Sequence, residues 1–179
     1  AELKLVIDIC DQRSIEKALE KMDQAGINLT CLINNAGYAQ PGPIELIDDA
    51  RVRRQFEVNV FGTLAMTRAT LPRLRAQSSR DRRRLIITMS SMLGLVSSPY
   101  QGIYAASKHA LEGAFSALRM EVRAQNVDVV LIEPGWISTH FLRTAMAHAP
   151  AQWLEHTVYG PSLKAYFAMT CDAETENPS

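Results

Sequence analysis

Glycine is sparse and spaced against one task. Among the nine glycines no two stand two residues apart, so the chain lacks a Gly-x-Gly turn of the kind that cradles phosphate at a helix N-terminus. Neither sign of charge is in excess: Lys plus Arg and Asp plus Glu are 19 each. That balance removes the electrostatic signature of a nucleic-acid or acidic-surface binder, and no nucleic-acid partner is expected. The densest basic run, Arg80-Asp81-Arg82-Arg83-Arg84, reads as a solvated loop before an apolar segment, with an anion-binding patch as the alternative. Three cysteines, Cys10, Cys31 and Cys171, are too few for a disulfide framework, and a reducing cytoplasm is the expectation. No secretory signal, lipidation motif or spanning apolar run is visible, so no transmembrane segment is expected. His140, His148 and His156 lie eight apart with no carboxylate or thiol at ligand spacing, so no metal is expected. The first residue is alanine, which reads as a processed start or an excised piece.

What is present suits one domain over residues 1–179, with about 136–170 as a loop-rich C-terminal segment. Short β-branched runs alternate with longer helical stretches, the pattern of a parallel α/β sheet. Strands are expected at Leu3–Ile9, Thr30–Asn34, Arg84–Ser90 and Asp128–Glu133, each apolar almost throughout, as in strands covered on both faces. A first helix is expected over Ser14–Ala25, capped by Ser14 and ended by Gly26. Asp48 to Arg75 carries an apolar stripe (Val52, Phe56, Val60, Leu64, Leu71, Leu74) interrupted at Asn59 and Pro72, so a kink or break is expected there. Tyr104–Gln125 is a further helix, with Leu111, Phe115, Leu118 and Val122 on one face. Small residues (Ala106, Ala110, Gly113, Ala114, Ala117) line another face. His140–Ala151 reads as a mobile segment, Gln152–Met169 as possible helix and Cys171–Ser179 as a polar tail.

Chemistry concentrates in Tyr104-Ala105-Ala106-Ser107-Lys108, with Ser91 thirteen residues upstream. On a helix, positions i and i+4 share a face, so an ammonium can lie beside a phenol. A fixed cation favours the phenolate and pulls tyrosine toward the range of a working acid–base catalyst. A serine held nearby could bond the oxygen of a substrate alcohol or carbonyl. Taken alone, the pair is an ordinary helix-face contact. Four further signals fall at ends of expected strands or at the helix break. Asn34-Asn35-Ala36-Gly37 follows a strand, and Asn59 sits at the break. Ser90-Ser91-Met92-Leu93-Gly94 and Pro134-Gly135-Trp136-Ile137-Ser138-Thr139 each follow a strand. Each alone reads as a turn, a cap or a solvated polar residue.

Together, in this order and spacing over about residues 1–145, they resemble the short-chain dehydrogenase/reductase family, and among its members those acting on steroids or retinoids. The resemblance implies a Rossmann-like doubly wound parallel sheet and NAD or NADP as cofactor. It implies an NAD(P)-dependent oxidoreductase that interconverts a secondary alcohol and a ketone, or an alcohol and an aldehyde. Tyr104 is then the general acid/base. Lys108 lowers its pKa and bonds the nicotinamide ribose. Ser91 orients the substrate oxygen, with Ser90 as its rival for that role, and Asn59 anchors a water in a proton relay. Asp8 and Ile9 match the adenine contacts, and Asn35, Ala36, Gly37 and Val58 lie along the adenosine half. Pro134, Gly135, Ile137 and Thr139 belong to the nicotinamide end. Substrate enters over Met92, Leu93, Tyr100, Trp136 and Phe141, bulky apolar side chains suited to a small hydrophobic alcohol or ketone. A homo-oligomer is implied for the full-length parent.

The sequence departs from the family at its glycine-rich first turn, Thr-Gly-x-x-x-Gly-x-Gly, which is absent. The chain reads as starting at the family's third strand and ending before its seventh, an incomplete sheet truncated at both ends. In the family's order, 3-2-1-4-5-6-7, Leu3–Ile9 has no adjacent partner and Thr30–Asn34 shows an open edge. The region that separates NAD from NADP is not in the sequence. An alternative reading follows: a catalytically inactive remnant that acts as an interaction partner.

Overall fold

The computed structural model describes residues 3–135 and 140–176. At its centre lies a parallel sheet of three strands in the order β1 (Cys31–Asn34), β2 (Arg84–Met89), β3 (Val127–Ile132). The register sets Ile33 opposite Ile87 and Ile87 opposite Val130. Parallel neighbours need crossovers. β1 reaches β2 through α2 (Asp49–Phe56), a π-helical segment (Glu57–Gly62) and α3 (Thr63–Ala76). β2 reaches β3 through α4 (Gly102–Val122).

Three of the four expected strands form. Leu3–Ile9 does not: it makes no ladder, and Val6 is 99% exposed. Apolar, β-branched residues become a strand only against another backbone, and no described strand lies beside these. The expectation of two covered faces fails as well. Along β3, Val127, Val129 and Leu131 are buried while Asp128, Val130 and Ile132 are exposed. α3 and α4 cover one face, packing Leu74, Leu111, Phe115 and Val122 against Leu32, Ile86 and Val129.

The helix boundaries follow local chemistry. α1 (Gln12–Gln24) is capped by Asp11, whose carboxylate accepts from the Arg13 amide at 2.9 Å. Ser14, the expected cap, instead accepts from the Asp8 amide at 3.0 Å. The long helical region breaks at Asn59, where the π-helical segment takes up an extra residue, while Pro72 remains inside α3. Arg84 ends the basic run buried, donating to Asn28 at 3.2 Å rather than standing in solvent. The stretch read as mobile carries α5 (His140–Ala147), and α6 (Gly160–Glu176) runs on into the expected polar tail.

Candidate active site

The ends of β1 and β2 and the first turns of α4 bring the sequence-selected residues together. Ser91 caps the 3-10 turn Met92–Gly94, accepting from the Leu93 amide at 3.1 Å. Its side chain also favours the Tyr104 phenolate, more weakly than burial opposes it. Ser90 is buried with an unpartnered hydroxyl and faces Gly94 instead. Tyr104 is only 6% exposed, packed with Ala39, Leu93 and Ala145, and its ring lies 5.8 Å from that of Phe141. One turn on, the Lys108 ammonium lies 5.6 Å from the Tyr104 ring centroid and donates to the Met89 carbonyl at 2.6 Å.

Asn59 is buried, and both ends of its amide are occupied. Its Oδ1 accepts from the Tyr38 amide at 3.1 Å, while Nδ2 donates to the Tyr38 carbonyl at 2.9 Å and to Ser107 Oγ at 3.1 Å. Ser107 in turn donates to the Tyr104 carbonyl at 2.7 Å. Asn59 therefore ties the loop after β1 to the Tyr104–Lys108 turn of α4. Gly37 keeps that junction open: a Cβ there would stand 3.2 Å from Asn59 Oδ1 and 3.9 Å from Lys108 Nζ. Asn34 is a brace, donating to Thr67 and Thr88 hydroxyls at 3.0 and 3.1 Å.

At the other end of the β1 loop, Ile7, Ile9, Leu32, Ile33, Asn34, Asn35, Ala36, Thr63 and Met66 line an apolar cavity of about 160 Å³. Ile9 fits there because Gly62 has no side chain; a Cβ on Gly62 would come within 2.8 Å of it. Asp8 holds the turn into α1 by accepting from the Cys10 amide at 2.9 Å. Val58 is half-buried in the π-helical segment. The Pro134 carbonyl accepts from the Met92 amide at 3.0 Å, and Gly135 is exposed. Met92 and Phe141 are exposed near the site, whereas Tyr100 belongs elsewhere, packed near Trp153 and bonded to Ser162 at 2.6 Å. Trp136, Ile137 and Thr139 lie outside the described residues. Among the described residues no group of three His, Cys, Asp or Glu converges as a metal site.

Electrostatics of the protein without ligands differ from the simple expectation. Burial pushes the Tyr104 phenol up, against a smaller opposing pull from Ser91. Burial also drives Lys108 down to about 8, opposed by the charge of Glu112. The ammonium leans on the Met89 carbonyl, so the lowering of tyrosine read from i+4 spacing is outweighed here by desolvation.

This constellation has relatives. A model of the short chain dehydrogenase family matches residues 3–150. The chain belongs to the short-chain dehydrogenase family. It is 39% identical over 137 residues to an NADPH-dependent 3-dehydrocapnine reductase of Ornithobacterium rhinotracheale, covering 75% of this chain and 48% of that protein. It is likewise 39% identical over 137 residues to a 3-ketodihydrosphingosine reductase of Bacteroides thetaiotaomicron, covering 76% of this chain and 49% of the relative. The crystal structure of a 3-ketoacyl-(acyl-carrier-protein) reductase from Brucella melitensis, complexed with NADH, superposes with a TM-score of 0.75. Identity there is 27%, over 80% of this chain and 59% of that one. The chain thus spans about half the length of the curated relatives it matches.

Three participants escaped the sequence reading. Ser107 could have been suspected, being one helical turn after Tyr104 and next to Lys108. The Tyr38 backbone and the Met89 carbonyl leave no side-chain signal, since any residue supplies those atoms.

Proposed function

We propose that this chain carries the proton-handling face of an NAD- or NADP-dependent oxidoreductase that interconverts a secondary alcohol and a ketone on a hydrophobic substrate. One observation carries the reading: the buried Tyr104 phenol has the Lys108 ammonium 5.6 Å from its ring centroid, with Ser91 acting on the same phenol. The residues suit a dinucleotide at two places. Lys108 spends one donor on Met89, leaving the others for ribose hydroxyls in the space that Gly37 keeps open. The apolar cavity beside Ile9, Asn35 and Ala36 suits an adenine ring, with Asp8 between the lining residues Ile7 and Ile9. Pyrophosphate finds no glycine turn in this chain. When bound, the nicotinamide supplies hydride exchange with the carbinol carbon.

The chain's residues do the rest. Tyr104 gives its proton to the carbonyl oxygen in reduction and takes it back in oxidation. Ser91 holds that oxygen. Lys108 as a cation stabilises the phenolate between turnovers and recruits the proton that restores it. Asn59, with its side chain occupied, keeps the loop and α4 in register, and any water it holds is bound through the main chain of the π-helical segment. Met92, Leu93 and Phe141 form an apolar approach to Tyr104, in keeping with the ketone-reducing relatives. In the full-length protein, Tyr104→Phe is expected to lower turnover on a hydrophobic ketone by at least about 100-fold. Cofactor affinity, read by nicotinamide fluorescence, should remain. Retained turnover removes Tyr104 from this role.

A further inference from the structure

The residue that α2 buries is a glutamine. Gln55 is 0% exposed, at a place where a helix packed on a core ordinarily sets an apolar side chain. Its amide is used at both ends: Oε1 accepts from the Gln40 amide at 2.7 Å, and Nε2 donates to the Tyr38 carbonyl at 2.7 Å. Asn59, four residues on, takes the Tyr38 amide and the same carbonyl. The gripped groups are the N–H and C=O of residue 38 and the N–H of residue 40, the set that one edge of a strand offers a neighbour. Two side-chain amides therefore stand in for a strand beside the loop after β1.

Between the gripped residues lies Ala39, buried against Tyr104 together with Ala145 of α5 and Leu93. Gln40, itself buried, extends the arrangement. Its Nε2 donates to the His148 carbonyl just beyond α5 at 3.4 Å, and Arg51 Nη1 donates to that oxygen at 3.1 Å. The Tyr38 ring meets the His148 ring edge-on at 5.3 Å. The two amides divide the loop between them. Asn59 holds the end next to Gly37, on the side of Lys108, while Gln55 holds the end that carries Ala39 and Gln40, on the side of the phenol and α5. A buried amide with both ends paired keeps one geometry, because a shift leaves a polar group without a partner.

We propose that Gln55 is a positioning residue for the Tyr104 phenol: its amide fixes the main chain of Tyr38 and Gln40 and so seats Ala39, with the end of α5, against the ring. The proposal rests on the reading of Tyr104 as the proton donor and acceptor. Gln55, fully buried, acts through the loop.

Gln55→Met nearly keeps the volume and removes both hydrogen bonds. In the full-length enzyme, at a temperature where the variant is folded, it should lower kcat on a hydrophobic ketone about 10-fold or more. Cofactor affinity, read by nicotinamide fluorescence, should stay within about two-fold, because Asn59 still holds the Gly37 end. A role in stability alone would lower the unfolding temperature and leave kcat unmoved, and that result overturns the proposal. A loss of cofactor affinity as large as the loss of kcat overturns it too. Should Gln55→Met not fold, Ala39→Gly decides, since it leaves the gripped main chain and removes the methyl group packed on the phenol. Its kcat should fall about three-fold or more, and an unchanged kcat overturns the proposal. The ring itself separates positioning from reaction. In full-length protein with 13C-labelled tyrosine and no substrate, the Tyr104 signals, identified by their loss in Tyr104→Phe, should move or broaden in Gln55→Met. Unmoved ring signals overturn the proposal. Turnover that survives Tyr104→Phe would instead refute the reaction while leaving the ring result for Gln55 standing.

Discussion

On one face of the sheet Leu32, Ile86, Val129 and Leu131 lie buried beneath α3 and α4; on the other, Ile33, Val130 and Ile132 stay 60%, 39% and 40% exposed. The two faces use the same residue types, because the strands are apolar almost throughout. Such strands suit a sheet covered twice, and the described residues cover it once. Composition along a strand therefore reports how many faces a sheet is built to bury, while the partner that buries each face is a separate matter. The same helix that completes the core with Leu111, Phe115 and Val122 carries Tyr104 and Lys108.

The contrast can be broken most forcefully from the covered side. Phe115→Ala should destabilise the chain by about 3–5 kcal/mol in urea unfolding, since a fully buried aromatic leaves a cavity between α4 and the sheet. A cost below about 1 kcal/mol would mean that the covered face is no better packed than the open one.

Lys108 tests whether the covered side also bears a stored electrostatic cost. Its value falls from 10.5 to about 8 on burial. Between those values the unfolded chain binds more protons than the folded one, so this group makes stability rise with pH there; below about 8 its full penalty is present. Lys108→Met should remove that rise and stabilise the chain at neutral pH by at most about 3 kcal/mol. Tyr104, held high by burial, acts oppositely only above its ordinary value of 10.0, so the two can be separated. Parallel stability curves for native chain and variant between about pH 7 and 10 would contradict the buried-cation account.

The smallest effect belongs to the open face. Ile33→Thr should change stability by less than about 0.5 kcal/mol. It should also reduce self-association seen in sedimentation, because Ile33 is exposed on the edge strand β1. A loss comparable to Phe115→Ala would show that something covers Ile33 after all.

Much of the site was readable because its parts are local. Tyr104 and Lys108 need only a helix to share a face, and Ser91 needs only the turn after β2. Three strands and the break at Asn59 were likewise visible from β-branched runs and an interrupted stripe. What was not readable depends on distant backbone. Leu3–Ile9 has a strand's residues without a neighbour to pair with, and the side-chain bonds of Asn59 to Tyr38 and Ser107 depend on a loop and a helix elsewhere in the chain. Capping passed from Ser14 to Asp11 because Asp11 takes the Arg13 amide while Ser14 reaches back to the Asp8 amide, a division that local geometry sets.

The amino-acid sequence by itself determined the kind of fold, the family and the shared helix face of Tyr104 and Lys108, because periodicity and motif spacing are properties of short segments. Only the tertiary structure decided that burial lifts Tyr104 and depresses Lys108, and that the Ser90 hydroxyl lies against Gly94. It also brought Glu112 in behind Gly94. The reason is physical: desolvation, hydrogen-bond choice and close approach depend on what other segments place within a few ångströms, and spacing along one segment does not contain that information.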